Sequence, residues 1–113
     1  MPQPATPYHY YTWDDYRSWP NDERWELIDG QPYAMSPSPG ARHQRTCLNL
    51  AAEIRSLLRG KPCQVFIAPM DVKMSAADTV QPDVLVVCDS GKIKDTHIEG
   101  APDVVVEVAS PST

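Results

Sequence analysis

Two short apolar runs limit what this chain can fold into: Val84-Leu85-Val86-Val87-Cys88 and Val104-Val105-Val106, each opened by Pro-Asp. β-Branched runs with little alternation belong to strands covered on both faces. The second run continues as Glu107-Val108-Ala109, so a carboxylate stands inside what reads as a buried strand. Acidic side chains are almost never fully buried unless they are paired or bound to a metal. Side chains alternate across a strand, so Asp103, Val105, Glu107 and Ala109 share one face, as do Asp83, Leu85 and Val87 on the earlier strand. With the two strands as neighbours, Asp83 and Glu107 converge on one side of the sheet. Two hard oxygen donors there make a partial site for Mg²⁺ or Mn²⁺, which water and substrate phosphate oxygens would complete.

At 113 residues the chain is expected to form one small domain over 1–113, with 1–7 as a loose tail. The net charge of −5 argues against a nucleic-acid binder that uses its whole surface and leaves only local patches. No apolar run approaches the ~20 residues of a membrane span. Cys47, Cys63 and Cys88 form no CxxC pair, and an odd, scattered set without a signal peptide reads as free thiols in a cytoplasmic protein.

Thr12-Trp13-Asp14-Asp15 predicts a short helix, with Thr12 as N-cap and Asp15 at the third position. Tyr10, Trp13, Tyr16 and Trp19 mostly share a face, and packing is their expected use. Trp25 to Ile28, Asp29-Gly30 and Gln31 to Met35 predict a hairpin with a type I′ turn. Glu26 within it reads either as an outward strand residue or as an additional acid at the site. Ser36 to Gly40 is a rigid lead-in to a helix over about 41–59, with Gly60 as its C-terminal cap. At 100° per residue, Cys47, Leu50, Ala51, Ile54, Leu57 and Leu58 fill one arc, and His43 joins it in the first turn. His43 reads either as a satisfied core histidine or as a site residue. Arg45, Arg55 and Arg59 lie on another arc, a solvated face more than a phosphate contact. Gln64 to Met74 reads as one bent strand or two short ones around Pro69, with Asp71 a solvent-side charge. Residues 89–101 read as a polar loop whose Lys92 and Lys94 are its only bases.

Four segments then line up in order: Trp25-Glu26-Leu27-Ile28-Asp29-Gly30, Ser36-Pro37 with His43-Gln44, Gln81-Pro82-Asp83, and Glu107-Val108-Ala109-Ser110-Pro111-Ser112-Thr113. Together they resemble the PD-(D/E)XK nuclease superfamily and, more narrowly, its bacterial family of restriction endonucleases. The resemblance implies an α/β, restriction-endonuclease-like core, a mixed sheet with a hairpin and one long amphipathic helix. It implies a metal-dependent DNA endonuclease of the restriction type, with a homodimer allowed. Asp83 and Glu107 would bind Mg²⁺ (or Mn²⁺), which generates the attacking hydroxide. His43 and Glu26 would be auxiliary catalytic residues. One departure bears on activity. The superfamily's lysine, two positions after the glutamate, is Ala109 here. In this family it resembles one carried on a later helix, so the domain is expected to be C-terminally incomplete. The rival expectation is a catalytically inactive nuclease-fold module used for binding.

Overall fold

The computed structural model describes residues 9–35 and 39–109. The expected tail over 1–7, the Ser36-Pro37-Ser38 lead-in and the final Ser-Pro-Ser-Thr lie outside them. The chain runs α1 (Trp13–Tyr16), β1 (Trp25–Ile28), β2 (Gln31–Ala34), α2 (Ala41–Leu57), β3 (Gln64–Ile67), β4 (Val72–Ser75), β5 (Asp78–Val80), β6 (Val84–Val87), β7 (Ile98–Glu99) and β8 (Val104–Val106). The strands form two sheets, β2-β1-β5-β4-β7 and β3-β6-β8. All pairings are antiparallel except β4 with β7, so the larger sheet is mixed, as the α/β reading expected.

Local chemistry accounts for the early elements. The Thr12 N–H donates to Asp15 Oδ2 at 2.9 Å and opens α1. Asp29 and Gly30 have φ of 49° and 72°, both positive as a type I′ turn requires, and Ile28 pairs with Gln31. Gly30 is held twice over, because a Cβ there would strike the Tyr10 ring. Helix α2 lies mainly against β3 and β6 through His43, Cys47, Leu50, Ala51, Ile54 and Leu58. Leu57, expected on that arc, is instead 74% exposed at the last residue of the helix.

The core lies where the sheets meet. Val72, Leu85, Val87 and Ile98 are fully buried together. All four residues of β6 are buried, so the first apolar run is a central strand covered on both faces. The second run is not. Val104 and Val105 are about half exposed, because β8 pairs only with β6 among the described residues and forms the sheet edge. Glu107 lies just past β8, on exposed backbone, and not within a buried strand.

Three further expectations are corrected. Cys63 and Cys88 are not free thiols but a disulfide, and Cys47 alone is free. They are 25 residues apart, yet β3–β6 pairing sets Gln64 opposite Val87 and so places the two cysteines side by side. The 89–101 segment is not all polar loop. Ile98 is fully buried, and β7 pairs in parallel with β4. Asp71 is half-buried, and its Oδ1 lies 2.7 Å from the Tyr16 hydroxyl and accepts Gln81 Nε2–H at 2.8 Å.

Thr79, opposite Leu27 on β1, is fully buried, and its hydroxyl has no hydrogen-bond partner. Thr79→Val removes that unpaired group at equal volume. It is expected to raise stability by about 1–2 kcal/mol in urea unfolding. A lower midpoint would mean that the hydroxyl is satisfied.

Candidate active site

The chain crosses from one sheet to the other at Gln81-Pro82-Asp83, the three residues between β5 and β6. That crossing brings an acid from each sheet together. Glu26, on β1 of the large sheet, turns inward, and its Oε2 accepts the Gln81 N–H at 2.9 Å. Glu26 is thus half-buried and hydrogen-bonded, where a plain outward strand residue would meet solvent. Gln81 is held from its other side as well. Its amide donates to Asp71, and its Oε1 accepts from Arg24 Nε at 2.9 Å. The Tyr16 hydroxyl is in the same network and is pushed well above its ordinary pKa, first by burial and then by its hydrogen bond to Asp71.

Asp83 immediately precedes β6, and β8 runs antiparallel to that strand with Val84 opposite Val106. One further step places Asp83 opposite Glu107, on the same face. Asp83 Oδ2 accepts the Val108 N–H at 2.7 Å. The other Pro-Asp does the same at the opposite end of the ladder, where Asp103 Oδ2 accepts the Cys88 N–H at 2.6 Å. Each Pro-Asp thus closes one end of the β6–β8 pair, and Asp83 has a structural task besides any chemical one. The two differ in their surroundings. Asp83 is flanked by Glu107 and His43, and Glu26 also acts on Glu107, whereas Asp103 is exposed.

The Glu107 residue is exposed, yet its carboxyl is pushed above the ordinary range. Partial burial is the largest cause, followed by the charges of Asp83 and Glu26. Nearness to the Asp83 backbone amide pulls the other way, while nearness to the Asp83 carboxyl favours the protonated form. His43, in the first turn of α2, places Nε2 3.2 Å from Asp83 Oδ2 and 3.1 Å from the Val108 carbonyl. Both neighbours are acceptors, which assigns the proton to Nε2 and leaves Nδ1 facing Cys47 Sγ at 3.7 Å. The four residues singled out by the sequence, Glu26, His43, Asp83 and Glu107, therefore lie in one place. A cleft of about 690 Å³ borders Asp83, His43 and Cys47 and is flanked by Arg24 and Arg45.

Sequence reasoning missed Cys47, treated there as one more residue of the apolar arc. Its position four residues after His43, on the same helical face, was the available signal. Arg24 and the Tyr16–Asp71–Gln81 network carried no signal, because their partners lie 9 to 65 residues apart. Neither Lys92 nor Lys94 is tied to the acids; Lys92 Nζ donates to the Ala101 carbonyl at 2.8 Å.

The α/β core is restriction-endonuclease-like. The fold matches a crystal structure of "a putative nuclease belonging to DUF820" from Anabaena variabilis, with a TM-score of 0.71 and 21% identity, covering 90% of this chain and 60% of that one. Residues 13–113 match the family model Uma2, described as "Putative restriction endonuclease", and the chain belongs to that family. An uncharacterised protein of Synechocystis is 33% identical over 115 residues, which is 97% of this chain. The chain spans 59% of that protein's length. No helix among the described residues is long and apolar enough to cross a membrane.

Proposed function

We propose that the chain carries the metal-binding acids of a DNA endonuclease of the restriction type. The observation that carries this reading is the meeting of the Asp83, Glu107 and Glu26 carboxylates, with the Glu107 carboxyl pushed up first by partial burial and then by the other two charges. Acids forced together across two sheets fit a divalent cation, which relieves their repulsion. The donors are hard oxygens, the set suited to Mg²⁺ or Mn²⁺. Asp83 and Glu107 would hold the ion, which when bound supplies charge stabilisation and an activated water for phosphodiester hydrolysis. The chain's own groups do the rest. The Val108 N–H fixes Asp83 Oδ2, so this carboxylate is positioned before any ligand arrives. The Gln81 N–H does the same for Glu26. His43 Nε2–H donates to the Val108 carbonyl at 3.1 Å, with Asp83 Oδ2 3.2 Å from the same nitrogen, so it lies beside the acids on the helix side. Arg24 and Arg45 at the rim of the cleft would meet the DNA backbone, a local cationic patch on an acidic chain.

Asp83→Asn tests the reading. It retains the shape and the Val108 contact but removes the charge. Plasmid cleavage with Mg²⁺ or Mn²⁺ should vanish while urea unfolding remains cooperative. Cleavage at the wild-type rate by the variant would end the proposal. A second reading, an inactive binding module, is favoured by Ala109 at the position where the superfamily resemblance places lysine. Under that reading the wild-type chain binds DNA and does not nick it.

A further inference from the structure

The helix side of the same site carries a donor that a hard-metal nuclease does not use. His43 and Cys47 are one turn apart on the inward face of α2, an i, i+4 pair that a helix holds as a rigid chelate. His43 Nδ1 and Cys47 Sγ are 3.7 Å apart. Two ligands about 2.0 and 2.3 Å from one tetrahedral zinc lie ~3.5 Å from each other, so the pair needs little adjustment. Asp83 supplies the third donor: its Oδ2 now lies 3.2 Å from Nε2, the ring's other nitrogen, and would have to swing toward an ion on Nδ1. One atom each from His43, Cys47 and Asp83 all lie within 4.8 Å of one another, and all three residues are half-buried. The other two cysteines are joined to each other, so Cys47 is the chain's one free thiol.

We propose that His43, Cys47 and Asp83 form a site for a thiophilic divalent cation of the Zn²⁺ class, with solvent in the fourth position. Sulfur and imidazole donors select such an ion over Mg²⁺, which takes oxygen ligands. Because Asp83 belongs to both donor sets, the two kinds of ion exclude one another. The site itself does not rest on the nuclease reading. Its consequence does: Zn²⁺ would switch the nuclease off by occupying Asp83.

The test is metal binding to the whole chain under non-reducing conditions. Co²⁺ as a spectroscopic stand-in should give a thiolate-to-metal charge-transfer band in the wild type that disappears in Cys47→Ser. Zn²⁺ affinity, read by competition with a chromophoric chelator, should fall at least about tenfold in Cys47→Ser and in Cys47→Ala. An outer-shell partner alone is worth about 10- to 100-fold. Two variants, each checked for cooperative unfolding, separate loss of the ligand from loss of the fold. A Co²⁺ spectrum without the band, or equal Zn²⁺ affinity in the wild type and a folded variant, would overturn the site. Mn²⁺ binding followed by electron paramagnetic resonance separates the two readings. Zn²⁺ can displace Mn²⁺ from an oxygen site by itself, so release that weakens in Cys47→Ser supports the shared Asp83, and equal release in both overturns it. A wild type that shows the Co²⁺ band but binds no Mn²⁺ supports this site and overturns the hard-metal one.

Discussion

Glu107→Gln is expected to leave the metal-free protein as stable as wild type or more stable, and to abolish most of its stabilisation by Mg²⁺ or Mn²⁺. Core and site substitutions usually destabilise, so the first half runs against the common trend. The reason is repulsion. Burial, Asp83 and Glu26 all disfavour the charged Glu107 carboxyl, and glutamine removes that charge at nearly equal volume. The second half follows from mass action. A cation at 100 times its Kd stabilises the folded chain by about 2.7 kcal/mol, and a lost ligand forfeits most of that. The pH dependence has a definite sign. With its pKa raised in the folded state, Glu107 keeps a proton that the unfolded chain has lost. Metal-free stability should therefore fall as pH rises from the ordinary glutamate value of 4.5 through the raised one. Below 4.5 both states are protonated and the effect disappears. The metal should flatten the fall, and so should the substitution. Urea unfolding of both proteins across this range, with and without Mn²⁺, measures all of it. Strong destabilisation of the metal-free variant would place Glu107 in a structural pair, and the inert-module reading would then be the better one.

Leu85→Ala is expected to cost about 2–5 kcal/mol. Leu85 is fully buried on the central strand of the small sheet, against Val72, Val87 and Ile98. These neighbours come from β4, β6 and β7, so the void opens between the two sheets, where neither can collapse into it without moving the other. Small chains are stable by only about 5–15 kcal/mol, so the variant should unfold at a much lower urea concentration. The effect should also reach the site, since Asp83 is two residues upstream, immediately before the same strand, and Mn²⁺ affinity should weaken in parallel. A loss below about 1 kcal/mol would show that the sheets close over the missing side chain. Val105, opposite Leu85 in the pairing but about half exposed on the sheet edge, provides the contrast: Val105→Ala should cost far less.

The sequence by itself determined several of the local elements and the parity of Asp83 and Glu107. The Asp-Gly turn, the α2 face bearing His43, the β6 run and the shared face of Asp83 and Glu107 all follow from periods of 2 and 3.6 and from backbone preferences. These are short-range rules, legible wherever a run is long enough to repeat. Parity also had a limit: it placed Glu107 on the right face but in the wrong environment. Three valines in a row read as a covered strand, and only the strand order showed that β8 lies at an edge with its valines half exposed. What the tertiary structure alone decided is contact across the sheets. Glu26 could point outward or inward on pattern alone, until the crossing at Gln81 offered its N–H. Cys63 and Cys88 were unrelated thiols until antiparallel register set them opposite each other. Cys47 was one more residue of an apolar arc until the helix was laid over Asp83. Each outcome depends on which strand lies beside which, a choice made by burying β6 on both faces, and no local pattern of residues encodes it.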